Sequence, residues 1–190
     1  MCMAAKLILL GDSIFAGWRN GQMSPLLKDR LTGRLPRYDI VMAAVPGETT
    51  DEALNRVTQD TAAGEHDIVV IGYGANDASN TTNVTADDFY DNLRTMIEII
   101  GPDAVILLTP PFGDPKRLQD RNQDSVAGYT QAAKEVTDKE SVLLVDLHQA
   151  MVTSPDPQAL LASDGQHFTD LGYDLLADLI VSSVHAMENR

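Results

Sequence analysis

Lys6-Leu-Ile-Leu-Leu10, followed at once by Gly11-Asp12-Ser13, is an apolar run with no polar residue at every second position. A strand written this way is covered on both faces, as in a parallel sheet between helices. Tyr38-Asp-Ile-Val-Met42, Asp67-Ile-Val-Val-Ile71, Ala104-Val-Ile-Leu-Leu108 and Ser141-Val-Leu-Leu-Val145 have the same character. Helical periodicity fills the gaps between them. Thr50 to Ala62 sets Ala53, Leu54 and Val57 on one face, and Val126 to Thr137 and Leu171 to Met187 are also amphipathic. Thr85 to Ile100 is the clearest, with Phe89, Leu93, Met96, Ile97 and Ile100 spaced by three and four. Thr85 stands as its N-cap, Asp87 and Asp88 occupy its first turn, and Gly101-Pro102 ends it. The alternation predicts an α/β fold: a three-layer α/β/α sandwich around a flavodoxin-like five-stranded parallel sheet with right-handed crossovers. Neither a repeat nor a linker interrupts it, so residues 1–190 read as one domain.

Fourteen basic residues against 28 acidic give a formal charge of -14. That surface repels phosphate backbones and anionic lipid, which argues against nucleic acid and acidic membranes as partners. The acidic residues are scattered, as on a solvated surface. Cys2 is the single cysteine, so an intrachain disulfide and a thiolate metal cluster are both ruled out. It precedes the first strand, at the edge of the sheet away from the expected site. The apolar run Leu7 to Leu10 is too short for a signal-peptide core, and no stretch approaches a membrane span. A cytoplasmic protein without integral membrane association is expected.

In a doubly wound sheet, the loops beyond the carboxyl ends of the strands face the ligand crevice. Ser13 follows the first strand there, opening a helix-like segment with its N–H unspent and its hydroxyl free. The third strand ends in Gly72-Tyr-Gly74-Ala-Asn76-Asp77 at the same edge, and an amide there can donate to a developing oxyanion. Strands one and three are neighbours in the flavodoxin-like order, so Ser13 and Asn76 face one another. The second strand leads into Ala44-Val-Pro-Gly47-Glu-Thr-Thr50, where the Gly47 N–H could be a second donor. Each turn also has a plain structural reading, as a helix cap or a Pro-Gly turn. Two aperiodic stretches, one running from Pro110 to Gln123 and one opening at Pro155-Asp-Pro157, lie where such folds build sites.

A serine hydroxyl needs an imidazole to take its proton and a carboxylate to orient that imidazole. Of the four histidines, His66 precedes the third strand at the wrong edge and His185 lies deep in the last helix. His148, two residues after Asp146, competes with His167, three residues after Asp164 and just ahead of the final helix. Spacing favours His167 and leaves His148 open.

Leu9-Leu-Gly11-Asp12-Ser13, Gly47, Gly74-Ala-Asn76-Asp77 and Asp164-Gly-Gln-His167-Phe-Thr-Asp-Leu-Gly172-Tyr173 resemble, in order, the four blocks of the SGNH, or GDSL-type, hydrolases. The resemblance spans Ser13 to Tyr173. It implies Ser13 as nucleophile, His167 as base and Asp164 as orienting acid. It also implies an oxyanion hole built from the Ser13 and Gly47 N–H groups and the Asn76 side chain, with His148 in a supporting or structural role. The expected chemistry is two-step acyl transfer on a small-molecule ester, short acyl chains first, without metal or organic cofactor. Carbohydrate deacetylation and lysophospholipid or thioester cleavage are alternatives within the family. Phe112 to Gln123 would shape one pocket, with Lys116 and Arg117 placed to meet an anionic or sugar leaving group. A non-catalytic flavodoxin-like binding domain is the rival of a different class, although the first strand leads into no phosphate-cradling glycine loop.

Overall fold

The computed structural model describes residues 4–61, 66–120 and 123–189. Five strands, β1 (Ala5–Gly11), β2 (Tyr38–Ala44), β3 (Ile68–Gly72), β4 (Val105–Leu108) and β5 (Leu143–Val145), form one sheet in the order β2-β1-β3-β4-β5. Every pairing is parallel. Between and after them run α1 (Leu26–Thr32), α2 (Thr50–Ala53), α3 (Val57–Asp60), α4 (Ala86–Ile100), α5 (Gln123–Glu140), α6 (Leu147–Val152) and α7 (Asp170–Glu188). The expected α/β/α sandwich is the observed one.

Alternate residues of each strand serve opposite layers, as the two-residue period of a strand requires. Leu7, Leu9, Val70, Ile106 and Leu108 pack with Leu27 and Leu31 of α1 and with Tyr173, Leu176, Ile180 and Val184 of α7. On the other face Ile8, Leu10, Val69, Ile71 and Leu107 meet Phe89, Leu93, Met96 and Ile97 of α4 and Ala133 and Val136 of α5. Thr85 caps α4 reciprocally. Its hydroxyl accepts from the Asp88 N–H at 3.1 Å, while the Asp88 carboxylate accepts the Thr85 N–H at 3.0 Å.

Four expectations need correction. Asp12 to Gly17 is a turn and not the start of a helix; the first helix begins only at Leu26. The helix expected over Thr50 to Ala62 is two short ones, and its last residue lies outside the described residues. The Asn55 side-chain amide donates to the Asp51 and Glu52 carbonyls, and Arg56 is drawn inward to Glu48 and the Ala43 carbonyl, which breaks the ladder. The helix over Val126 to Thr137 extends to Gln123–Glu140. Of the loop from Pro110 to Gln123, residues 121 and 122 are outside the described residues, as is Cys2, and Gln123 already belongs to α5.

The register sets the site's position. Gly11 pairs with Ala44 on one side and Gly72 on the other. Three strands therefore end level, and the loops carrying Ser13, Gly47 and Asn76 rise from one rim.

Candidate active site

After Gly11 the chain reverses within a few residues. The Asp12 carboxylate accepts the Ile14 N–H at 2.9 Å, the Asp12 carbonyl accepts from Ala16, and the Ser13 carbonyl accepts from Trp18. Beneath this turn the Phe15 ring fills a slot between two glycines of adjacent strands. A Cβ on Gly72 would lie 2.4 Å from Phe15 Cζ, and one on Gly11 2.7 Å from Phe15 Cδ2. Any larger residue at either position would expel the ring and lift the turn. From α7, the Tyr173 hydroxyl donates to the Ile14 carbonyl at 3.0 Å. Ser13 is thereby held from three sides, and it is 4% exposed.

His167 comes from the segment ahead of α7. Leu161 and Phe168 bridge antiparallel, and the Ala162 N–H donates to the His167 carbonyl, so residues 162–167 form a tight excursion. Its tip is braced from the loop after β4. The Asp114 N–H donates to the Gly165 carbonyl, and Arg117 pairs with Asp114 while donating to the Ala162 carbonyl. Arg117 is thus engaged in holding this loop, which corrects its expected place as a free cation for a leaving group.

Ser13 and His167 meet. His167 Nε2 lies 3.0 Å from Ser13 Oγ, and His167 Nδ1 lies 2.7 Å from Asp164 Oδ2. The other carboxylate oxygen accepts the Gln166 and His167 N–H groups at 2.9 Å each. Burial pushes the Asp164 pKa up, but these hydrogen bonds outweigh it and hold the carboxyl below the usual range. A charged acceptor at Nδ1 selects the tautomer protonated there and leaves Nε2 free to accept from the serine. The line can pass a proton from hydroxyl to imidazole, as nucleophilic catalysis requires. With the Asp164 side chain 52% exposed and the imidazole 18%, the site opens to solvent.

Asn76 lies between the other two rim loops. Its side-chain amide donates to Asp12 Oδ2 at 3.2 Å and to the Glu48 carbonyl at 3.0 Å. It thus links the residue before Ser13 to the residue after Gly47. Gly47 has φ +81°, a left-handed conformation that favours glycine, in a turn closed by the Glu48 N–H on the Val45 carbonyl. Among the described residues the Ser13 and Gly47 N–H groups meet no acceptor. A buried network supports the turn: Glu48 accepts from the Tyr73 hydroxyl at 2.7 Å and from Arg56 Nε at 2.7 Å. Burial, followed by the bond to Glu48, raises the Tyr73 pKa far above its ordinary value. Asp77, fully buried, accepts from the Thr50 N–H at 2.9 Å and from the Thr50 hydroxyl. Burial raises its pKa against those hydrogen bonds.

The remaining histidines stay apart from this line. His66 contacts the Thr61 and Ile100 carbonyls, and His185 contacts Glu188. His148 lies in the first turn of α6 with its N–H on Thr109 Oγ1, and its ring packs edge-on to Phe112. Burial lowers the His148 pKa despite the nearby Asp146. Sequence reasoning brought Ser13, Asp164 and His167 to one point but missed Asp12, Phe15, Glu48 and Tyr173 as their supports. Among the described residues no three of His, Cys, Asp and Glu gather to hold a metal ion, and no helix is long and apolar enough to cross a membrane.

The sequence model of the GDSL-like lipase/acylhydrolase family matches residues 9–175. The lipase/acylhydrolase from Enterococcus faecalis superposes with a TM-score of 0.91 at 37% identity, covering 95% of each chain. The acetyl xylan esterase AlAXEase superposes at 0.77 with 27% identity, over 94% of this chain and 99% of that one. The acetylxylan esterase Axe2 from Geobacillus stearothermophilus, at 22% identity and a TM-score of 0.74 over 96% and 95%, shares the fold. No curated protein matches.

Proposed function

Because the chain belongs to the GDSL-like lipase/acylhydrolase family, a family of acyl-transferring hydrolases, we propose that it hydrolyses short-chain carboxylic esters through an acyl-enzyme on Ser13. The observation that carries this reading is the unbroken line from Ser13 Oγ through the His167 imidazole to the Asp164 carboxylate, 3.0 and 2.7 Å long. His167 takes the serine proton as Oγ attacks the ester carbonyl, then gives that proton to the departing alcohol. Water repeats the sequence and releases the acid. Asp164, held ionised, keeps the imidazole in the productive tautomer and stabilises its charged form.

The negative oxygen of the tetrahedral intermediate would sit among the Ser13 N–H, the Gly47 N–H and the Asn76 amide. Among the described residues the two backbone groups have no competing acceptor. The Asn76 hydrogen on Asp12 is the longer of its two bonds and is the one an oxyanion would draw away. Losing one such donor raises the barrier by on the order of 3 kcal/mol. Asn76→Ala is therefore expected to lower kcat by roughly 100- to 1,000-fold with little change in KM. A KM effect alone would remove Asn76 from this role.

Deacetylation of a carbohydrate is a second reading, favoured by the solvent-open base and by the likeness to an acetyl xylan esterase at 27% identity. A panel of p-nitrophenyl esters of graded chain length, assayed beside acetylated xylo-oligosaccharides, separates the two. The ester reading expects kcat/KM to be highest on short acyl chains and unimproved by a sugar alcohol; a large excess for the acetylated sugars would replace it with the second.

A further inference from the structure

Beside the Ser13 turn, on the α1 side of β2, lies a depression of about 410 Å³. Ala16, Met23, Pro25, Met42 and Ala44 give it an apolar wall, and Lys28 also lines it. It shares a residue with the turn that carries Ser13. Ala16 belongs to the same turn as Ser13, and Ser24 fastens the pocket segment to that turn. The Ser24 N–H donates to the Ala16 carbonyl at 3.3 Å, and its hydroxyl donates to the Gly17 carbonyl at 2.5 Å. On the other side, Ala44 ends the strand that leads to Gly47. Met23 is 63% exposed on the rim, so apolar surface is left to solvent where a ligand could cover it.

Lys28 differs from its neighbours. Arg30 of α1 and Arg34, just past its end, reach Asp170, Asp174 and Asp178 of α7. Position 28 is two residues, about 200°, around the helix from position 30, so it lies on the opposite side. Among the described residues Lys28 makes no ion pair, in a chain carrying a net charge of -14. A cation without an ion-pair partner among the described residues, lining an otherwise apolar trough, suits one chemistry: a chain that is largely apolar and carries a negative group.

We infer that this depression is a substrate subsite for an apolar arm ending in an anionic group, a carboxylate or phosphate, carried by the ester that Ser13 attacks. The inference rests on the ester-hydrolase reading above. It adds a substrate class to it: amphipathic, acid-terminated esters in preference to their neutral counterparts.

Two matched pairs test it, one for each side of the ester bond. p-Nitrophenyl hemiadipate is compared with p-nitrophenyl hexanoate, and the acetate ester of ω-hydroxyhexanoate with hexyl acetate. In the wild type, the charged member of one pair should have the higher kcat/KM. In Lys28→Glu the charged-to-neutral ratio for that pair should fall about tenfold at low salt, and by less at high salt. Met23→Asp, an exposed change, should move the ratio the same way. Ratios unchanged by both variants, in both pairs, would overturn the assignment. Hydrolysis of p-nitrophenyl acetate keeps the two ideas apart. If the wild type cleaves it while the ratios stand still, only the subsite is wrong; if it is not cleaved, the ester-hydrolase reading falls and takes the subsite with it.

Discussion

Replacing Ser13 by alanine is expected to lower kcat on short esters by about four to six orders of magnitude while leaving the fold intact. Members of a nucleophile–base pair act as a unit, and loss of the nucleophile alone leaves only binding and oxyanion stabilisation. The structure favours a clean outcome because the hydroxyl's partner is His167. The turn itself is closed by backbone groups, the Asp12 carboxylate and Tyr173, none of which the substitution touches. The thermal midpoint should therefore stay within the small range of a neutral change. A fluorophosphonate probe should label the wild type on the peptide containing Ser13 and fail to label the variant. Full activity in Ser13→Ala, or labelling at another serine, would end the Ser13 acyl-enzyme reading; a wild type neither labelled nor active on esters would favour a binding domain.

The second large effect is expected one turn deeper. Phe15→Ala removes a ring that is 2% exposed from a slot whose walls are the Gly11 and Gly72 backbones. Those walls belong to adjacent sheet strands and cannot collapse inward, so most of the vacated volume persists as a cavity. Burial of a ring lost under such conditions costs about 3–5 kcal/mol, a large share of a typical domain's stability of about 5–15 kcal/mol. Urea unfolding should show the midpoint falling with the slope retained. In the folded fraction, kcat should also drop, since the turn bearing Ser13 rests on that ring. A variant with wild-type stability would show that the slot refills.

The two glycines explain why this support was hidden from a reading of the residues. Gly11 and Gly72 are 61 positions apart in sequence, and only the register of β1 against β3 sets them opposite each other. Strand positions, by contrast, were legible because a strand buried on both faces needs nothing but apolar residues in a short run. Thr85 to Ile100 was legible because a long helix repeats its pattern several times and carries its own cap. Helices α1 and α6 were not, since seven and six residues hold too few turns to show a period. The same contrast runs through the site. Ser13 and Asn76 follow from strand ends, while spacing leaves His167 and His148 both open and the family resemblance points to His167. The partners that aim them, Asp12 and the Glu48 carbonyl on Asn76 and Tyr173 on the Ser13 turn, are contacts between distant segments. One-dimensional spacing cannot place those.

The serine and the histidine that face each other are separated by 154 positions, and the tyrosine that steadies the serine's turn by 159 from the carbonyl it holds. On a ribosome the strand leading to Ser13 emerges well before the segment that carries His167. A growing polypeptide thus holds Ser13 without its imidazole partner until the segment ahead of α7 has been made. On the proposed mechanism, turnover reports that this long-range contact has closed.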